Sequence, residues 1–308
     1  MKILITGGLG HIGSAITRDL IEKSWVEHIY IIDDLSTQRF CSLFGLDLSH
    51  VSFIEGDVRD PATLESAHDA NVVIHLAATT NAEQSFYDPE AIEANNLGST
   101  KAVGLWADSR GKNLIHLSST SVYGHSGSLV TEDEPAHCNP QSPYAVIKLQ
   151  EERFLKEQLG NNFLSLRFGT IYGISPGMRF HTAVNKFCFQ AAFGIPLAIW
   201  RTSLDQVRPY LHLDDACSFI EHVLRNNAFT GETYNVLSGN HCVRDILDEI
   251  RSHKPDITTN IVDSPIMNQL SYEVSLEKVA RLGWRPTQIG LDLSPYFETL
   301  FLSTRGRT

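Results

Sequence analysis

The chain has 308 residues and a formal net charge of −11, enough for one large or two small domains. An acidic chain without a run of Lys or Arg lacks the basic footprint of a nucleic-acid-binding protein. Five cysteines at 41, 138, 188, 217 and 242 form no CxxC pair, and thirteen histidines show no HxxH or HExxH spacing. These patterns suit reduced thiols in a cytoplasmic protein and argue against both a disulfide framework and a metal site.

Lys2-Ile3-Leu4-Ile5-Thr6 reads as a short strand, and glycines follow at 7, 8, 10 and 13. Ile12, Ala15, Ile16, Leu20 and Ile21 then recur at helical spacing. A strand, a Gly-rich turn and a helix in that order form a dinucleotide fingerprint. A glycine lets the chain turn tightly, Gly10 lets backbone approach a pyrophosphate, and Gly13 lets helix and sheet pack closely. The N–H groups at the helix start then face the anion. The second apolar run, His28-Ile29-Tyr30-Ile31-Ile32, ends in Asp33, 33 − 13 = 20 residues beyond Gly13. An acid at about that offset meets ribose hydroxyls, accepting from the 2′-OH of NAD and repelling the 2′-phosphate of NADP. A helix cap or surface turn is the alternative, with Asp34 and Ser36 competing. Asp57-Val58 follows a third strand, 51–54. Asp57 there suits either an adenine amino group or the N-cap of the next helix.

Further strands are expected at 72–76, 114–117 and 163–167, with helices near 89–109 and 143–158. Strands separated by helices give an α/β fold with a doubly wound parallel Rossmann sheet. Regularity fades after about residue 170. The expectation is therefore an NAD-binding domain over 1–170 and a smaller C-terminal α/β substrate-binding lobe over 171–308, with some chain crossing back to the sheet. No apolar run reaches membrane-spanning length; 187–200 is broken by Gln190, Gly194 and Pro196. The strand starting at residue 2 leaves no signal-peptide pattern.

Tyr144 and Lys148 are four apart and lie on one face of a helix. A cation beside a phenol favours the phenolate and draws a pKa of about 10 toward neutrality. Such a Tyr serves as base toward a hydroxyl and as acid toward a carbonyl; the alternative for a lone YxxxK is surface decoration. Ser118-Ser119-Thr120-Ser121 follows a strand, and ligands in open α/β sheets collect at strand carboxyl ends. A hydroxyl there can hold a substrate oxygen, or the cluster is a turn that caps the sheet.

With these motifs the chain resembles the extended short-chain dehydrogenase/reductases, specifically the NAD-dependent nucleotide-sugar epimerases and dehydratases. The matches are TGGLGHIG at 6–13, HLAA at 75–78, SSTSVYG at 118–124, YAVIK at 144–148, LRFGTIYG at 166–173, VRPYLHLDD at 207–215, YNVLSG at 234–239 and LGWRP at 282–286. The resemblance implies NAD as cofactor and a nucleotide sugar as substrate. It implies catalytic Ser119, Tyr144 and Lys148, the last also holding ribose. It places cofactor contacts at Gly7, Gly10, His11, Ile12, Gly13, Asp33, Asp57, Val58, Leu76, Ala77, Ala78 and Asn96. Substrate contacts fall at Thr120, Ser121, Asn185 and Arg208. A homodimer formed through the helices near 89–109 and 143–159 is also implied, with Val103, Leu105, Trp106, Val146, Leu149 and Leu155 as apolar residues beyond what one sheet face needs.

The departures are informative. The family's 4,6-dehydratases carry Asp-Glu after the catalytic Thr, where this chain has Thr120-Ser121. That substitution disfavours dehydration and suits hydrogen bonds to a carboxylate or hydroxymethyl group. The family's "RDY" has become Arg208-Pro209-Tyr210, no second phosphate-binding Arg stands in 266–272, and the loop 175–180 is unlike that of the best-known 4-epimerases. The expected activity is C4 epimerisation through a transient 4-keto sugar. A 4-keto reductase or uronate decarboxylase is the alternative within the family, and a non-catalytic NAD-binding sensor or scaffold the alternative outside it.

Overall fold

In the first strand, β1 (Lys2–Thr6), Ile3 and Ile5 face one way and Leu4 the other, and all three are fully buried. A parallel strand dry on both faces needs helices on both sides. The structure, a computed structural model, has that arrangement; it describes residues 1–80, 84–124, 129–263, 271–288 and 290–304.

After β1 come α1 (His11–Ile21), β2 (His28–Asp33), β3 (Val51–Glu55), α2 (Pro61–Glu65), β4 (Val72–His75) and α3 (Pro89–Ser109). Next are β5 (Asn113–Ser119), β6 (Leu129–Val130), α4 (Pro143–Leu159), β7 (Phe163–Phe168) and β8 (Thr170–Tyr172). The remaining chain forms α5 (Ala183–Ala192), β9 (Leu197–Trp200), β10 (Arg208–His212), α6 (Leu213–Asn226), β11 (Glu232–Val236) and β12 (Gly239–His241). It ends in α7 (Val243–His253), β13 (Thr259–Val262), β14 (Glu273–Val274), α8 (Glu277–Ala280) and α9 (Ser294–Thr304).

The central sheet has seven strands in the order β11-β7-β5-β4-β1-β2-β3, and every pairing is parallel. The order reverses between β1 and β4, which opens a crevice at their carboxyl ends where ligands bind in such sheets. On one face Ile3, Ile5, Ile29 and Ile31 pack with Ile16 and Leu20 of α1 and with Phe219, Ile220 and Val223 of α6. On the other, Leu4, Ile32, Val73 and Leu114 pack with Val103 and Trp106 of α3 and Leu155 and Leu159 of α4. Val103, Trp106 and Leu155 are thus consumed by the core of one subunit. Leu149 joins a smaller cluster around Val122 and Tyr123. Of the six apolar residues expected to be surplus, only Leu105 and Val146 remain exposed.

Residues 171–308 contribute two kinds of structure. α6 and β11 return to the central sheet, β11 against β7. Val279 of α8 and Trp284 also pack on that side of the sheet, while much of the rest encloses a second core of Tyr172, Val184, Phe187, Leu197, Ile246, Leu247 and Tyr296. Short sheets β12-β10-β8 and β13-β9 frame this second core. No helix among the described residues is long and apolar enough to cross a membrane.

Candidate active site

The glycine turn forms by close approach. Gly7 has φ +66°, and a Cβ there would stand 2.7 Å from the Ala77 amide nitrogen. A Cβ on Gly13 would meet the Gly7 carbonyl oxygen and the Gly8 Cα, each at 2.6 Å. Only glycine lets α1 sit this tightly on the turn. Gly10 caps α1 with no side-chain hydrogen bond, so the first-turn N–H groups at His11 and Ile12 point out of the helix start, where an anion is favoured.

Asp33 stands at the end of β2 beside this turn. Its Oδ2 accepts from Leu9 N at 3.2 Å and its Oδ1 from Leu35 N at 3.0 Å. Burial pushes its carboxyl up while those two bonds act against the rise. Asp34 instead closes a local turn by accepting from Ser36 N. Asp57 neither caps α2 nor stands open: Arg59 engages both its oxygens, and Asp60 caps α2 by accepting from Ala62 N at 3.0 Å. Val58 is buried. Leu76, Ala77 and Ala78 leave β4 half-buried along the crevice. Asn96 is fully buried and pins this segment, accepting from Thr79 N at 2.8 Å and donating to Thr79 O at 2.9 Å. It shapes the crevice from behind.

α4 begins where Ser142 accepts from Ala145 N, with Pro143 in the first turn. It presents Tyr144 and Lys148, both buried, with Nζ 5.7 Å from the phenol ring centre. β5 delivers Ser119, whose Oγ accepts from Ser121 N at 3.1 Å and which acts to lower the pKa of the Tyr144 phenol. Here the structure corrects the expectation drawn from sequence. Burial pushes the Tyr144 phenol up and outweighs the opposing pull of Lys148; Glu151 adds to the rise, while Arg179 and Ser119 resist it. The ammonium is not the phenol's alone. Lys148 donates to Leu117 O at 2.9 Å and to Glu151 Oε2 at 2.8 Å.

Glu151 escaped the sequence reading, although its place seven residues beyond Tyr144 and three beyond Lys148 puts it on their face of the helix. Glu152 turns to the next strand instead. It binds Arg167 of β7 through two hydrogen bonds, 2.9 Å at Nε and 2.7 Å at Nη2, and accepts from Ser118 Oγ. Arg167 continues to Tyr123 OH, which donates to Asn235 Oδ1. This buried chain fixes α4 against β5, β7 and β11.

On the substrate side, Thr120 donates to Phe168 O, whereas the Ser121 hydroxyl is buried without a hydrogen-bond partner among the described residues. Arg208 lies 5.0 Å over the Tyr272 ring. Asn185 is engaged on all sides, donating to His11 Nε2 and Arg179 O and accepting from Tyr296 OH. The His11 imidazole is likewise sealed between Ser175 and Asn185, and burial drives its pKa down to about 3. These two side chains join the 174–185 segment to the glycine turn, leaving His11 its backbone N–H for a ligand. Residues 266–270, part of the stretch that lacks a second phosphate-binding Arg, lie outside the described residues.

Arg179 was also missed. It donates to Thr80 Oγ1 at 2.5 Å, and its Nε is buried without a partner among the described residues. Burial, then the nearby Arg39, lower its pKa. The open first-turn N–H groups at the glycine cradle suit a pyrophosphate and the Asp33 carboxyl beside them suits a ribose, so the residues present fit a dinucleotide.

A family model described as the NAD dependent epimerase/dehydratase family matches residues 3–236. Similar curated proteins include the low-salt glycan biosynthesis protein Agl12 of Haloferax volcanii, 27% identical over 298 residues, covering 93% of this chain and 94% of the relative. They also include dTDP-glucose 4,6-dehydratase 1 of Escherichia coli, 29% identical over 328 residues, covering 94% and 89%. Among solved structures, the UDP-glucuronic acid 4-epimerase from Bacillus cereus in complex with UDP-glucuronic acid and NAD is 25% identical, with a TM-score of 0.86 over 100% of both chains. The glycine cradle, the Ser119-Tyr144-Lys148 cluster and the match across most of the chain lead to one conclusion: this protein belongs to the NAD-dependent epimerase/dehydratase family of extended short-chain dehydrogenase/reductases.

Proposed function

We propose that the protein is a nucleotide-sugar 4-epimerase working through a transient 4-keto sugar. The observation that carries this reading is the hydroxyl pair Thr120-Ser121 beside an intact Ser119-Tyr144-Lys148 cluster. Eliminating water across C5–C6 needs an acid and a base after the catalytic hydroxyl, and neither of these side chains supplies one. On this reading the protein shares with the 4,6-dehydratases the fold and the first half-reaction, and not the elimination.

In this mechanism Tyr144 takes the proton of the sugar 4-hydroxyl and later returns it to O4. Ser119 donates to O4 as negative charge develops there, an interaction strongest in the transition state. Lys148 favours the phenolate and holds the ribose. Bound NAD supplies reversible hydride acceptance at C4, so no net redox change accompanies turnover. The Ser121 hydroxyl, whose hydrogen is uncommitted, donates to the substituent on C5, Thr120 can only accept from it, and Arg208 meets a phosphate of the nucleotide. Asp33 selects NAD through its carboxylate. The cofactor is held mainly by residues 1–170, and the sugar by the lobe that follows.

The test is incubation with a panel of UDP-, GDP-, dTDP- and CDP-sugars, including uronates, followed by NMR. A C4 epimer is the expected product. A 4-keto-6-deoxy sugar, a lost carboxyl group or net reduction would each replace this reading with a different reaction. Retained NAD without turnover of any sugar would favour a sensor.

A further inference from the structure

α4 carries a third ionisable group directly against the Tyr144–Lys148 pair. Glu151 is fully buried. Its Oε2 accepts from Lys148 Nζ at 2.8 Å and lies 2.9 Å from His116 Nε2. His116 is itself buried on β5, with Nδ1 3.0 Å from Ser165 Oγ of β7. Ser165 can donate to Nδ1 of a neutral imidazole whose Nε2–H then donates to the carboxylate. Burial alone would push the Glu151 carboxyl up, but Lys148 and His116 together hold it at about 2. These partners favour its carboxylate form beside the ammonium.

Other groups face this centre from each packed element. His75 of β4 stacks on His116 at 6.3 Å, and burial keeps it neutral. Glu152 is turned away to Arg167 and Ser118. Arg179 of the second lobe acts on Tyr144 through its charge, lowering the phenol pKa. Among these, only Glu151 bonds the Lys148 ammonium directly.

We propose that Glu151 is a positioning residue: with His116 it anchors the Lys148 ammonium beside the Leu117 carbonyl, and so sets how much positive charge Tyr144 feels. This rests on the reading of Tyr144 as the proton carrier. The pair tunes the pH range in which the phenol works, without touching the substrate.

The test uses the full-length, NAD-saturated protein. Glu151→Gln keeps the shape and an acceptor for Lys148 while removing the negative charge. Ionisation of Tyr144 is read by ultraviolet difference absorption against Tyr144→Phe in each background. The expected midpoint falls by about one pH unit, since the ammonium then acts on the phenol unopposed. The acid limb of kcat/KM moves with it. Glu151→Asp withdraws the charge by one methylene and should move the midpoint the same way by less; it carries the test if Glu151→Gln does not fold. A midpoint unmoved or raised in the folded variant overturns the proposal. That failure is distinct from failure of the epimerase reading, which shows as full turnover by Tyr144→Phe.

Discussion

Replacing Glu152 with Ala should cost the fold far more than an ordinary helix substitution. Glu152 and Arg167 are both buried, joined by two hydrogen bonds at 2.9 and 2.7 Å. In Glu152→Ala the guanidinium keeps its bond to Tyr123 OH and loses its only ion-pair partner among the described residues. Ser118 loses its acceptor as well. Breaking a buried pair from one side costs about 3–5 kcal/mol, because the remaining charge is stranded. Against a typical stability of about 5–15 kcal/mol, that is a large fraction. Urea unfolding followed by circular dichroism measures it. The double variant Glu152→Leu/Arg167→Met strands no charge and should recover most of the loss. A single-variant loss below about 1 kcal/mol, in the range of exposed pairs, would refute the claim that this link holds α4 in place.

Asp33→Ala should weaken NAD binding roughly 10-fold or more, the worth of a hydrogen bond to a charged group, and narrow the preference over NADP. Isothermal titration with both cofactors decides it; a wild type that binds NADP as tightly as NAD would show the assignment of this acid to be wrong. Acid should destabilise the fold through its buried neutral histidines. His11 and His75 have folded pKa values lowered to about 3, chiefly by burial. The unfolded chain, near 6.5, takes up those protons first. Their contribution is therefore complete above pH 6.5 and lost as pH falls toward 3, by roughly 2 kcal/mol each at pH 5. Urea midpoints that are equal at pH 7.5 and pH 5 would contradict this. Finally, we expect a two-fold dimer through α3 and α4, using exposed Leu105 and Val146; sedimentation of a stable monomer at micromolar concentration would defeat it.

What the sequence revealed was what depends on local pattern. Helix α3 runs where it was expected, with Asp88 capping it and Pro89 in its first turn, and α4 opens at Pro143 after the Ser142 cap; both starts are local features. The short apolar run of β1 and the Gly7–Gly13 turn are local as well. What stayed hidden depends on partners far along the chain. The His11–Asn185 contact spans 174 residues, and Arg179 reaches Thr80 across 99. The rise in the Tyr144 pKa is a burial effect that helix spacing cannot reveal. The spacing was sufficient to flag Glu151, yet nothing local distinguished it from its neighbour Glu152, whose side chain turns to a different strand. The apolar surplus on α3 and α4 was overread, because the sheet face takes Val103, Trp106 and Leu155 for its own core.

In the proposed reaction Tyr144 moves the proton of a sugar 4-hydroxyl in an epimerisation without elimination. Proton NMR in D2O, comparing the wild type with Tyr144→Phe on the sugar identified by the panel, tests it most directly. Elimination across C5–C6 would exchange the C5 hydrogen with solvent, whereas hydride removed and returned at C4 leaves no deuterium. The expected product of the wild type is a C4 epimer free of deuterium. In Tyr144→Phe the rate should be lower by about 10²–10⁴-fold, the usual loss on removing a general acid/base. Deuterium at C5, or near wild-type turnover by Tyr144→Phe, would contradict it.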